Sequence, residues 1–415
     1  MKVHSLIGRI DMGLMRGAFK AVKRNRGAAG VDKVSIQMYR ANLMENLHAL
    51  MRELKEGSFE PLPLRRVFIP KNKDQTEFRP LGIPVVKDRI AQEVLRRLLD
   101  PVFRPLFHPA SFGFIQGRNC HMAISHALQL HAAGFKVVLD ADIKGFFDNL
   151  PHKVILQAVR DQVADGKVLN LLERFLRCGV LEDGRLLATT KGTPQGGVIS
   201  PLLANIVLNR LDWHLDQLAL RFVRYADDFV VLCQNRSQAE EARSQVETLL
   251  AQLGLSLSPQ KTAITSYGKG YTFLGFILSS RSRRIRPKSL ESFKDKVRAL
   301  TVRKHNLDLA MVDHLNALLR GVAQYFCASF ATNREQFHKL DSWVRMRLRA
   351  MKFKRKNTLD NYKLRIRTFQ QSYRLFTLET FYLATHASVH RSLSRGSSSR
   401  SRPATETVTP VNLWN

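Results

Sequence analysis

The sequence is poor in cysteine, short of acid and empty of long apolar runs, and each shortage removes a class of protein. Four cysteines (Cys120, Cys178, Cys233, Cys327) are scattered through 415 residues with no Cys-x-x-Cys pair. Neither a disulfide framework nor a zinc knuckle is expected, and a reducing cytoplasm is the simple setting. No run of 18 apolar residues is present, and the first residues lack the core of a signal peptide, which argues against a membrane. No tandem repeat is visible. Acids number 35 against 66 Lys and Arg, a net charge of +31. An excess of that size asks for a polyanion, and nucleic acid is the expected partner. The length allows two or three domains with a sizeable core, and specifies no oligomeric state.

Against this background one stretch organises the rest: Arg221-Phe222-Val223-Arg224-Tyr225-Ala226-Asp227-Asp228-Phe229-Val230-Val231-Leu232-Cys233. Two β-prone apolar runs flank adjacent acids, the pattern of a hairpin whose turn carries charge. The carboxylates repel and Asp is a poor strand former, so a divalent cation such as Mg²⁺ is the expected remedy. In an extended segment Asp227 and Asp228 point to opposite faces; a further carboxylate must come from another strand. Leu139-Asp140-Ala141-Asp142-Ile143-Lys144-Gly145-Phe146-Phe147-Asp148 supplies it, with Asp142 at the end of an apolar strand. Two acid-bearing strand ends make a site for a pair of ions about 3.5–4 Å apart, suited to in-line phosphoryl transfer. Asp140 shares Asp142's face by period-2 geometry but lies farther from the strand end, as a bystander or outer-shell group.

Tyr-Ala-Asp-Asp between apolar strands resembles the signature of reverse transcriptases, and Asp-Ile-Lys-Gly-Phe-Phe-Asp resembles the version in group II intron reverse transcriptases. Further blocks in order extend the resemblance over residues 20–278, among them Ser111-Phe112-Gly113-Phe114 and Thr193-Pro194-Gln195-Gly196-Gly197, the latter running into Ser200-Pro201-Leu202. The implied architecture is α+β, a right-hand polymerase with fingers, an antiparallel-sheet, RRM-like palm and an α-helical thumb or maturase domain. The expected divisions are an N-terminal extension (1–62), fingers and palm (63–280), helical thumb with a basic RNA-binding end (281–390) and a disordered tail (391–415).

The resemblance also implies site residues. Asp142, Asp227 and Asp228 become catalytic metal ligands for two Mg²⁺, with Mn²⁺ as the alternative, and dNTPs become the substrates. Lys71 and Arg79 lie on the arms of a hairpin spanning 64–84 and match the cations that contact the incoming triphosphate. Phe147 matches the bulky gate that excludes a ribonucleotide 2′-hydroxyl, and Gln195 lies against the templating base and nucleotide. Ile115-Gln116 replaces the family's Arg-Pro pair, so a template role there rests on Arg118; Arg89 is another candidate template contact. Lys261 is a candidate for gripping the primer backbone, with a plain solvated lysine as the alternative.

Local expectations complete the reading. Residues 35–54 form one capped amphipathic helix behind Ser35. Gly27-Ala28-Ala29-Gly30 supplies a turn with backbone freedom, in what resembles the family's template-holding N-terminal loop. Residues 271–278 form a strand, and 281–288 a basic linker. Farther on, Arg345, Arg349, Lys354 and neighbouring cations interleave with Phe353, Tyr362 and Phe369, an RNA-binding composition. The chain ends without the Cys-pair endonuclease domain of many intron-encoded relatives, so a target-primed route would need an existing 3′ end. The expected partners are structured RNA of group II intron type, an RNA template and a DNA primer, in the cytoplasm or at the nucleoid. Two other readings stay open: a splicing-only RNA-binding maturase, and a domesticated enzyme in phage defence or DNA repair.

Overall fold

The computed structural model describes residues 2–70, 76–193 and 196–395, with side chains through residue 387. Eleven strands lie among them: β1 Leu64–Pro70, β2 Phe78–Ile83, β3 Val137–Asp142, β4 Val180–Glu182, β5 Arg185–Leu187, β6 Arg221–Tyr225, β7 Asp228–Cys233, β8 Ala263–Ser266, β9 Tyr271–Phe273, β10 Phe276–Leu278 and β11 Arg283–Ile285. With helices set beside these sheets, the expected α+β class is what is observed. The chain divides into two compact units, Met1–Thr265 and Ser266–Asn415. Among the described residues no helix is long and apolar enough to cross a membrane.

The first unit is built on the sheet β6-β7-β3-β8. β7 runs antiparallel to both β6 and β3, and the register pairs Leu139 with Val231, Ala141 with Phe229 and Asp142 with Asp228. Because partners share a face, Leu139, Ala141, Phe229, Val231 and Cys233 point one way, and all five belong to the main apolar core. Removing such side chains from water is worth roughly 1.5–3 kcal/mol each for the larger ones. A one-residue slip would reverse every one of them, so the core fixes the register that sets Asp142 opposite Asp228.

A second sheet in this unit has the order β2-β1-β4-β5, with β1 antiparallel to β2 and parallel to β4. Asp183 and Gly184, both at positive φ (48° and 79°), make the tight turn between β4 and β5, as Asp-Gly hairpins require. The helix Val86–Phe103 buries Asp88, Arg89, Gln92 and Glu93 along with its apolar residues.

Several local expectations change. The single helix over 35–54 is two, Ile36–Ala41 and Leu43–Glu56. The helix breaks at Asn42 (φ −115°, ψ 45°), and the Asn46 side chain takes up the Tyr39 carbonyl left over there. Gly27 and Gly30 serve close approach rather than unusual dihedrals: a Cβ on Gly27 would strike the Arg89 guanidinium, and one on Gly30 would lie 2.7 Å from Val85 backbone. Residues 271–278 are a hairpin, not one strand, because Leu274 (φ 46°) and Gly275 (φ 82°) turn the chain between Phe273 and Phe276. The basic stretch after 281 is likewise folded, with β11 completing the sheet β11-β10-β9.

In the second unit Phe276 is buried against Tyr325, Phe326 and Phe330. Four long helices follow: Pro287–Leu300, Leu309–Phe326, Arg334–Lys352 and Leu378–Arg395. The last extends into the stretch expected as tail, whose remainder lies outside the described residues.

Candidate active site

The acids sit where the apolar pattern of β3 and β7 runs out. Tyr225 pairs with Asp228, leaving Ala226 and Asp227 as a two-residue turn with Ala226 at φ 59°. Asp227 is therefore a turn residue and not a neighbour of Asp228 along an extended strand. That removes the opposite-face constraint assumed from strand geometry. Asp142 and Asp228 face each other across the sheet. Asp227 is held above the usual carboxylate range, chiefly by burial and also by the Asp142 charge, while Arg79 and Arg224 pull it back. Asp140, behind Asp142 on the same face, is pushed up to about 6 by burial and by Asp142.

Three carboxylates at adjoining strand ends form an all-oxygen, anionic donor set, the chemistry a hard divalent cation prefers. Among the described residues no three acids, histidines or cysteines already converge into a cage. Such a set fits Mg²⁺ or Mn²⁺ that keeps only one or two carboxylates and fills its shell with water and substrate phosphate.

The segment 256–261 is tied along the end of β3. Lys144 N–H donates to the Ser256 carbonyl (2.9 Å), and Ser258 N–H to the Asp142 carbonyl (2.8 Å). This carries the Lys261 ammonium to 3.3 Å from Asp142 Oδ2. Lys261, a candidate for the primer backbone or a plain solvated lysine, is exposed here and pairs with Asp142.

Of the nucleotide-side residues, Arg79 is exposed on β2 opposite Ile69 and acts electrostatically on Asp227. Lys71 and Gln195 lie outside the described residues. Phe147 is half-buried, edge-to-face on buried Phe146 at 5.2 Å. Its carbonyl accepts from Thr193 N–H at 2.7 Å, which links the Phe147 loop to the approach to Gln195. Val198 N–H donates to Gln92 Oε1 (2.8 Å), anchoring the far side of that segment to the helix Val86–Phe103.

Several expected nucleic-acid contacts are occupied from within. Arg118 gives its guanidinium to the carbonyls of His108 (2.6 Å) and Ser111 (2.5 Å). Arg89 is 7% exposed and donates to the carbonyls of Pro84 and Ala28, so it braces the Gly27–Ala28 loop instead of meeting template. Arg349 is also buried, with Nε on the Leu364 carbonyl (2.9 Å) and its guanidinium over Phe369. Burial corrects the expectation for both Arg349 and Phe369: neither offers a surface to RNA. Arg345 is half-buried and donates to Ser342 Oγ (3.0 Å). Lys354 is exposed and donates to the His305 carbonyl (2.6 Å). Among the exposed cations of the second unit are Lys352, Lys354, Lys356, Lys363, Arg365 and Arg367, close in sequence to Tyr362, which is 76% exposed.

Sequence reasoning missed Arg224 altogether. It is fully buried and ion-paired with fully buried Asp212 on the helix Ser200–Gln217. An arginine in an apolar strand reads as an outward position, and nothing in the spacing to Asp212 signals a partner.

Comparison with known proteins agrees with this geometry. Residues 69–278 match the family model of reverse transcriptase (RNA-dependent DNA polymerase), and residues 290–368 match the group II intron maturase-specific domain. Protein YkfC of Escherichia coli K12 is 34% identical over 294 residues, covering 61% of this chain and 77% of YkfC. The group II intron-encoded protein LtrA of Lactococcus lactis subsp. cremoris is 38% identical over 180 residues, 43% of this chain and 30% of LtrA. The mitochondrial nuclear intron maturase 2 of Arabidopsis thaliana is 23% identical over 346 residues, 70% of this chain and 46% of that protein. The chain thus spans less than half of the latter two relatives. It belongs to the reverse transcriptase family and carries, C-terminal to the polymerase region, the maturase-specific domain of group II introns.

Proposed function

We propose that the protein is an RNA-directed DNA polymerase of group II intron type, which copies an RNA template from a DNA primer and binds structured intron RNA through its second unit. The observation that carries the polymerase reading is the pairing of Asp142 with Asp228 across β3 and β7, with Asp227 in the adjoining turn. In the reaction the primer 3′-hydroxyl attacks the α-phosphorus of a dNTP and pyrophosphate leaves. Asp142 and Asp227 would be the principal ligands of a divalent ion, Mg²⁺ foremost, and Asp228 the accessory one; the ion would supply charge stabilisation for the transfer.

The remaining residues position and discriminate. Arg79 neutralises triphosphate charge, with Lys71 in the same role. Phe147 fills the space a 2′-hydroxyl would need, and Gln195 supports the nascent base pair. Lys261 holds positive charge beside Asp142 before substrate arrives. In the second unit the exposed cations from Lys352 to Arg367 take backbone phosphates and Tyr362 offers a stacking surface for an unpaired base.

Primer extension on poly-rA with oligo-dT tests the polymerase. The expected result is a product that depends on Mg²⁺ or Mn²⁺ and is lost in Asp227→Asn. No product from the unmodified protein with either metal would leave an RNA-binding maturase alone. Sequencing the RNA that copurifies tests the partner: one structured intron is expected, and diverse bulk RNA would remove the maturase assignment.

A further inference from the structure

Arg224, among the largest fully buried side chains of the described residues, bonds to the turn that carries Asp227. Its Nε and Nη2 donate to the two oxygens of Asp212 at 2.7 and 2.5 Å. Its remaining nitrogen, Nη1, donates to Asn205 Oδ1 (2.9 Å) and to the Ala226 carbonyl (2.8 Å). Asn205 in turn donates to the Gly113 carbonyl at 2.8 Å. The strand backbone is joined to the same neighbours: Arg224 N–H donates to the Ala110 carbonyl (2.9 Å), and Phe112 N–H to the Arg224 carbonyl (2.8 Å). Gly113 passes so close to Ala226 that a Cβ would collide with the Ala226 nitrogen.

One of these bonds has a consequence for the chemistry. The Ala226 carbonyl and the Asp227 N–H belong to one rigid peptide plane. Holding that carbonyl sets the peptide plane from which Asp227 Cα leaves the turn, and so narrows where its side chain can point. The turn needs holding, because Ala226 sits at φ 59°, a conformation that residues with a Cβ adopt reluctantly. A buried ion pair is a poor source of stability, since apolar residues of equal volume commonly do as well. No apolar residue, however, can donate to the Ala226 carbonyl. Lysine cannot either while also meeting Asp212 at two points, because that geometry belongs to the guanidinium fork.

We propose that Arg224, clamped by Asp212 and Asn205, is a positioning residue that holds the Ala226–Asp227 peptide so that the Asp227 carboxylate is preset for a divalent cation. The proposal rests on the reading of Asp142 and Asp227 as a metal site. It predicts that metal affinity, and not merely folding, depends on a side chain that touches neither metal nor substrate. It also predicts that the dependence weakens when the turn no longer resists its own conformation.

The test is Mn²⁺ binding to the full chain with primer, template and dNTP, followed by electron paramagnetic resonance, alongside thermal unfolding. Arg224→Lys is expected to weaken Mn²⁺ binding at least tenfold. The double variant Arg224→Lys/Ala226→Gly is expected to recover at least threefold of that loss, since glycine adopts positive φ without help. Asn205→Ala, which leaves the Arg224–Asp212 pair in place, is expected to weaken binding about threefold and serves if Arg224→Lys does not fold. Variants with lowered melting temperature but unchanged Mn²⁺ affinity would overturn the proposal, as would a glycine that rescues nothing. The two readings fail separately. Arg224-dependent Mn²⁺ binding in a protein that extends no primer removes the polymerase and keeps this inference; normal extension with Arg224-independent binding does the reverse.

Discussion

The Lys261 ammonium lies 3.3 Å from Oδ2 of Asp142, so the principal acid of β3 has a protein cation for a neighbour. A divalent ion bound through that oxygen must displace it. Both side chains are substantially exposed, 70% and 43%, and such a pair is worth at most about 1 kcal/mol, or roughly fivefold in an equilibrium. Lys261→Met should therefore lower the Mg²⁺ concentration for half-maximal primer extension by about two- to fivefold. Titrating Mg²⁺ for both proteins checks this, and a requirement that stays constant or rises contradicts it.

Asp88 makes a pH prediction away from the catalytic acids. It is buried, accepts from Leu62 N–H at 3.0 Å, and is pushed up to about 7, mainly by burial. Below the unfolded value near 4 it is protonated in both states. As pH rises toward 7 the unfolded chain ionises first, so the Asp88 contribution to stability is lost across that window. Asp88→Asn keeps an acceptor for Leu62 and carries no charge. It should match the parent near pH 4 and exceed it by a growing margin up to pH 7. Equal stability of the two proteins at pH 8 would show that Asp88 is not held in this way.

Phe147→Ala should raise ribonucleotide incorporation relative to deoxyribonucleotide by at least about tenfold, equivalent to ~1.4 kcal/mol of lost discrimination. The melting temperature should fall without loss of the fold, because Phe147 is half-buried and packs against the core while Phe146 lies within it. Single-nucleotide insertion with dCTP and CTP measures the ratio; sugar selectivity equal to the parent's would remove Phe147 from the gate.

The cations of the second unit should separate into two kinds. Arg349→Ala loses a hydrogen bond to the Leu364 carbonyl and the stack on Phe369, and should destabilise by about 1–3 kcal/mol. Lys356→Ala and Arg365→Ala, at exposed positions, should leave the melting temperature alone. Each should reduce the slope of log affinity for RNA against log salt by up to about 1. The opposite pattern would place RNA on the buried arginine.

The β6–β7 hairpin was legible because strand alternation and adjacent acids between two apolar runs pointed to a charged turn. The hairpin over 271–278 was not legible, since Leu274 at positive φ has no compositional signature and an apolar run with one glycine reads as a single strand. Charge composition pointed to a polyanionic partner but not to which cations face it. Arg89, Arg118 and Arg349 bond to backbone carbonyls contributed by other elements, and only the fold brings those carbonyls within reach. Arg224 was hidden for the same reason, its partner Asp212 lying on a separate helix.

Affinity cleavage reads directly whether Asp142 and Asp227 share a metal site. With Fe²⁺ in place of Mg²⁺, ascorbate and peroxide generate hydroxyl radicals at the bound ion, and mass spectrometry locates the backbone cuts. Cuts are expected near residue 142 and near residues 226–228 together, both suppressed by excess Mg²⁺. Cuts at one of these strand ends without the other, or at neither, would contradict a shared site.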